Sequence, residues 1–243
     1  MFRLWFDALV DIVYPPVCLI CRKGINEAEG YKGICTDCLS LIPKNIPPFC
    51  QKCGVSLSSF DKDRGLCLSC KPSDFSFNRA WAACIYKEEM VELIQLFKYK
   101  SKTILKQALG KLVCDFMENF HLPAVECDYL IPIPLHPARL REREFNQSQL
   151  LCEEIAKRFQ IPLCLNNLIR IRNTKSQTRL NEKDRFKNIQ GAFSLRNPQA
   201  LLDKNVLLVD DLFTTGATAS EAALTLKNGG AKDVCVLTLA RAN

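Results

Sequence analysis

The chain is 243 residues long, 48% apolar and 24% charged, with a formal net charge of +7. That is the composition of a globular protein, long enough to bury a sizeable core as one domain or as two. No run approaches the roughly 18 apolar residues that cross a bilayer, so no transmembrane segment is expected.

From the N-terminus, residues 1–15 have the pattern of an amphipathic helix, interrupted by Asp7 and Asp11. No small-residue cleavage site follows, so a secretory signal is not expected. Such a helix covers the core or the next domain, or touches a membrane surface through Trp5 and Phe6.

Residues 16–74 carry four C-x2-C pairs, Cys18/Cys21, Cys35/Cys38, Cys50/Cys53 and Cys67/Cys70, separated by thirteen, eleven and thirteen residues. One such pair offers two thiolates to a metal ion, and a second pair after a short loop completes a tetrahedral four-sulfur site. The expectation is a double zinc ribbon holding about two structural Zn2+ ions. Cys18, Cys21, Cys35 and Cys38 form one site in the sequential pairing, and Cys50, Cys53, Cys67 and Cys70 the other; an interleaved pairing is the alternative. Eight thiolates for two ions leave no position open for catalytic water. Six further cysteines lie singly among apolar residues, as small buried hydrophobes do.

The stretch from Lys71 to Ser76 marks a boundary, and residues 78–243 are expected to form a second domain. Residues 80–86 have strand character. Residues 88–97 and 104–120 have helical spacing, with a basic joint at 98–102 that is either a solvated turn or a substrate contact. Asp128 opens a short strand that runs into a proline-punctuated loop carrying His136 and then Arg139, Arg141 and Arg143 at alternate positions. Arginines just past the C-terminal end of a strand sit where open α/β sheets bind ligands, and their forked donors suit phosphate. Residues 139–187 also hold twelve Lys and Arg against six Asp and Glu, nearly the whole positive excess. That concentration points to a pyrophosphate or a nucleic-acid backbone, unless it is simply a solvated basic face.

A helix over 149–159 and strand-like stretches at 163–165 and 168–171 follow. Residues 173–190 lack apolar periodicity and read as a loop, over an active site or merely exposed. Val206–Val209 is then a fully apolar strand, as in a parallel sheet covered on both faces. Asp210 and Asp211 stand at its end, before the turn Thr214-Thr215-Gly216-Ala217-Thr218 and a helix over 219–227 closed by Gly229-Gly230. Residues 234–239 supply the last parallel strand. A strand–turn–helix unit aims free N–H groups and a helix dipole at one spot, which favours a phosphate. The two carboxylates would repel that phosphate and should meet sugar hydroxyls or a Mg2+ ion instead.

This last stretch resembles the phosphoribosyl pyrophosphate (PRPP) motif of type I phosphoribosyltransferases, in which the acids hold the ribose hydroxyls and the turn cradles the 5′-phosphate. The order of zinc ribbon, "KYK", "IPIPLHPARLREREFNQ", "RIRNTKSQTRLNEKDRFKNIQGAF" and "VLLVDDLFTTGATA" resembles the ComF/GntX-like family over nearly the whole chain. The resemblance implies an α/β fold: a Rossmann-like parallel sheet of the type I phosphoribosyltransferase kind, with a small N-terminal zinc-ribbon domain. It implies binding of PRPP with Mg2+, Asp210 and Asp211 in the catalytic centre, and Thr214–Thr218 with Arg139, Arg141 and Arg143 on the substrate. Single-stranded DNA and a competence helicase are the implied partners, in a cytoplasmic setting or at the inner face of the membrane. The family pattern usually has Gly where Glu144 stands, and often where Ser101 stands. Two functions compete: transfer of phosphoribose to an unidentified acceptor, and a non-catalytic module that holds PRPP or single-stranded DNA.

Overall fold

The apolar run that ends in Asp210-Asp211 lies in the middle of a parallel sheet, as a strand without a polar face must. The computed structural model describes residues 16–25, 31–58, 61–70, 75–99, 103–174 and 182–242. The amphipathic helix expected over 1–15 lies outside the described residues, as do 100–102 of the basic joint and 175–181 of the basic loop.

In chain order the elements are α1 (Thr36–Leu41), β1 (Arg79–Ile85), α2 (Glu89–Tyr99), α3 (Lys106–Asn119), β2 (Tyr129–Pro132), α4 (Pro137–Arg143) and α5 (Gln147–Phe159). They continue with β3 (Leu168–Arg170), α6 (Glu182–Ile189), β4 (Phe193–Leu195), β5 (Asn205–Phe213), α7 (Ala217–Asn228) and β6 (Asp233–Arg241). The main sheet has the order β1-β6-β5-β2, every pair parallel. Leu163 adds a parallel bridge to Leu130 on the outer edge of β2, while β3 and β4 form a separate antiparallel pair.

Alternation along β5 feeds two cores. Leu207 and Val209 pack with Leu109 and Val113 of α3 and Leu151 and Ile155 of α5. Val206 and Leu208 pack on the other face with Ala222, Ala223 and Leu226 of α7. Helices α3 and α5 approach closely because Gly110 has no side chain: a Cβ there would stand 2.5 Å from Glu154 Cβ.

The cysteine-rich segment covers the free edge of β1. Asn45 N–H donates to Ala83 O, Ile85 N–H to Pro43 O, and Ala80 N–H to Lys52 O. Asn45 is buried and its amide donates to both Gly54 O and Ala82 O, at 2.8 and 2.9 Å. Gly54 lies against the backbone of Ala80 and Trp81 with no room for a Cβ.

Three expectations need correction. The proline-punctuated loop ends at His136, whose Nδ1 accepts from Ala138 N–H and caps α4, with Pro137 in the first turn, a position proline tolerates. His136 thus has the local role its type usually has. Residues 182–189 are helix and not loop: Phe186 and Ile189, three apart, pack into the α7-side core, and two apolar contacts suffice to hold a short helix that has no longer stripe. Strand β4 was not expected at all, being too short to show a period.

Candidate functional site

The four Sγ atoms of Cys18, Cys21, Cys35 and Cys38 all lie within 4.8 Å of one another, and so do those of Cys50, Cys53, Cys67 and Cys70. The sequential pairing therefore holds and the interleaved one is excluded. Cys21 and Cys35 sulfurs are 3.7 Å apart, and those of Cys53 and Cys67 3.6 Å. Four thiolates at ~2.3 Å from one zinc ion stand about 3.8 Å from each other, so both clusters fit structural Zn2+. In the second cluster the bond from Cys53 holds the Cys50 thiol down at about 4, while the same bond and burial push Cys53 far up.

Strand β5 delivers Asp210 and Asp211 to the C-terminal edge of the sheet. They do different things there. Asp210 Oδ1 accepts from Ser148 Oγ and from Asp211 N–H, each at 2.9 Å, and Asp210 lines the cleft beside the turn. Burial, and next the neighbouring Asp211 carboxylate, raise its pKa to about 6. Asp211 is buried and its Oδ2 lies 2.9 Å from Lys98 Nζ, near the end of α2. Burial alone would lower the Lys98 ammonium; the Asp211 carboxylate outweighs it and holds the pKa above the ordinary lysine value.

The turn after β5 places Gly216 at φ +77°, a left-handed conformation that favours glycine. A Cβ there would also meet Phe213 and Phe75 at 2.7 and 2.8 Å, so the close approach seen at Gly216 is to these rings. Ala217 starts the twelve-residue α7. Among the described residues, no hydrogen bond uses the backbone N–H of Thr214, Thr215 or Gly216, and the buried Thr215 Oγ1 has no partner. The cleft lined by Asp210, Thr214, Gly216, Thr218 and Thr238 has a volume of ≈ 40 Å³, room for roughly three waters or one phosphate group.

Helix α4 separates the three predicted arginines. Arg139 and Arg143 are four apart on one face and half-buried, whereas Arg141 is turned away and exposed. Alternate spacing converges in a strand and diverges in a helix. Arg139 donates to Thr174 O at 3.2 Å, and Arg143 to Gln147 Oε1 at 3.3 Å. Arg170, at the end of β3, completes the group. Its Nη2 donates to Thr174 Oγ1 at 2.6 Å, and burial, then Arg139, lower its pKa to about 10, with Asp210 partly offsetting them. Arg170 opens the stretch RIRNTKSQTRLNEKDRFKNIQGAF, but in the sequence it reads only as part of a strand, with no role of its own.

Residues 9–71 match the double zinc ribbon domain, and residues 146–243 match the phosphoribosyl transferase domain. Competence protein F of Haemophilus influenzae is 32% identical over 231 residues, 93% of this chain and 96% of that one. DNA utilization protein YhgH of Escherichia coli K12 is 29% identical, covering 95% of this chain and 99% of its own length. Competence protein ComFC of Bacillus subtilis is 33% identical over 64% of this chain and 61% of its own. The parallel sheet with its acid-tipped strand and Thr-Gly turn is a type I phosphoribosyltransferase domain, and the paired four-cysteine clusters are its zinc ribbon. With a relative this similar from end to end, the chain belongs to the competence protein F (ComF) family.

Proposed function

We propose that the chain binds PRPP and transfers its phosphoribosyl group to an acceptor. The 5′-phosphate lies on the turn 214–218, the ribose hydroxyls meet Asp210, and the pyrophosphate faces Arg139, Arg143 and Arg170. The observation that supports this reading is the turn itself: a buried Thr215 hydroxyl and three backbone N–H groups without partners among the described residues, at the start of a helix. Orphaned donors at such a point are costly to the fold unless an anion takes them.

Asp210 has an oxygen without a described partner and can hold a Mg2+ ion carried in by the ligand, which would neutralise pyrophosphate charge. Asp211, already paired with Lys98, acts in this reading as a positioning residue. The arginines act electrostatically, stabilising the negative charge that gathers on the departing pyrophosphate as its bond to C1 of the ribose lengthens. Exposed Arg141 has no part in this. The names of two relatives, a competence protein and a DNA utilization protein, support a role in competence and the use of DNA. In this reading the chain works in the cytoplasm or at the inner face of the membrane, with single-stranded DNA and a competence helicase as partners.

Calorimetric titration with PRPP tests the site. Asp210→Asn should weaken binding by more than about tenfold, and unchanged affinity would remove the assignment. Pyrophosphate release on adding nucleobases or single-stranded DNA tests transfer. Binding without release, whatever acceptor is offered, leaves the chain a PRPP-binding module. DNA held by the same cationic side chains should bind with an affinity that falls steeply with salt, and a flat dependence rules it out.

A further inference from the structure

A second cavity of ≈ 390 Å³ opens beside the arginine group and shares Arg170 with it, but no residue from Asp210 to Thr218 lines it. Its walls come from the β2–α4 connection and from the outermost strand segment. Leu135, Leu140, Ile169 and Ile171 are apolar and aliphatic, and Leu140 and Ile171 remain 41% and 55% exposed at the rim. Two of its polar side chains, Asn146 and Gln149, bond internally, but others are open to a ligand. Asn166 and Arg196 make no side-chain hydrogen bond among the described residues, His136 spends only Nδ1 on its cap, and the buried Nε of Arg170 has no partner.

These features constrain a ligand jointly. The volume falls within the range of small-molecule sites. An inorganic anion would satisfy the two arginines and leave the aliphatic walls wet. A purely hydrocarbon anion would cover the walls but leave the hydrogen-bonding capacity of exposed Asn166 and half-buried His136 unused. A flat heteroaromatic ring with hydrogen-bonding edges, joined to one phosphate, meets every wall. We propose that this cavity is a mononucleotide site, with the base between the aliphatic side chains, its edge on Asn166 and His136, and the phosphate on Arg170 and Arg196. The proposal does not depend on PRPP binding at the Thr-Gly turn, since the cavity shares only Arg170 with that reading and no residue of the turn lines it.

The test is calorimetry of the zinc-loaded full chain with thymidine 5′-monophosphate, and with thymidine and inorganic phosphate as its two halves. Saturable nucleotide binding is expected. Arg196→Ala should weaken the nucleotide about tenfold and leave thymidine unchanged. Leu140→Trp, which fills the cavity from an exposed position, should remove binding of both, and Thr215→Val should change neither. The proposal is overturned by the opposite pattern, in which Thr215→Val abolishes binding and Leu140→Trp does not, because that moves the nucleotide to the turn. It is equally overturned if nothing saturates, or if inorganic phosphate binds as tightly as the nucleotide.

Discussion

Lys98 Nζ and Asp211 Oδ2 lie 2.9 Å apart, with only 17% and 9% of their side chains exposed. The pair joins the end of α2 to the acid-bearing end of β5 across a long stretch of sequence. Gln147, whose amide donates to Phe97 O and whose carbonyl accepts from Arg143, ties the same corner to α5.

Removing the lysine alone should be expensive. Lys98→Met leaves a buried carboxylate without its counter-charge, and a cost of about 3–5 kcal/mol is expected in urea denaturation. Lys98→Met combined with Asp211→Leu should recover most of that loss. Because the folded pKa of Lys98 is raised, the lysine's share of stability is full below the ordinary lysine pKa. It should be lost only as pH rises through the higher folded value.

Asp210 has the opposite consequence for stability. Its folded pKa of about 6 stands above the ordinary aspartate value, so folding is favoured below that ordinary value and the benefit is lost as pH rises through about 6. Asp210→Asn can keep the bonds from Ser148 and from the Asp211 N–H while removing the charge. At pH 7.5 it should therefore stabilise the fold by about 1–2 kcal/mol while weakening PRPP binding. Thermal melts should show the two proteins converging near pH 4; a difference independent of pH would contradict this.

Gly216→Ala meets two obstacles at once, the left-handed backbone and the rings of Phe213 and Phe75. A loss of about 2–4 kcal/mol is expected from strain and overpacking together. A melting temperature within a degree or so of the parent would show that the turn relaxes freely.

Glu144 closes α4 at φ +68°, and its N–H donates to Leu140 O at 2.8 Å. The ComF pattern's preference for glycine here thus has a backbone reason. Glu144→Gly should stabilise the protein by about 0.5–1 kcal/mol, or about 1–4 °C for a chain of this size. A lower melting temperature would overturn this account.

The second four-cysteine cluster is wired to the Thr-Gly turn. Arg241 Nη1 donates to Cys53 O at 2.5 Å, its guanidinium lies 5.1 Å from the centre of the Phe213 ring, and Phe213 packs on Gly216. Elemental analysis should find about two zinc ions per chain. Cys53→Ser should speed hydrogen exchange over 213–220, whereas Cys21→Ser, in the cluster without this link, should not. Equal effects would show that the wiring carries nothing.

What could be read directly from the residues was whatever local pattern decides. The C-x2-C spacings were enough to find the two thiol clusters though not to exclude an interleaved pairing, and the unbroken run Val206–Val209 marked a strand buried on both faces. The acids and the Thr-Gly turn followed in register. Helix α6 escaped because its burial rests on two residues in an otherwise charged run, and β4 because three residues carry no period. The arginines of α4 were assigned by an alternation that only a strand would make meaningful. Lys98 stands in the basic joint and Arg170 in a family-like stretch, but their bonds to Asp211 and Thr174 come from tertiary placement, which no local pattern encodes.

The seam between ribbon and sheet leaves no slack at Gly54, where two main chains touch with nothing between them. Asn45 fastens the same seam with one amide shared by both sides. Consequently, a product trimmed back to the start of β1 would present an open row of amides and carbonyls to solvent. Such a fragment should self-associate through intermolecular strand pairing, so the metal-binding segment also acts as a guard against aggregation.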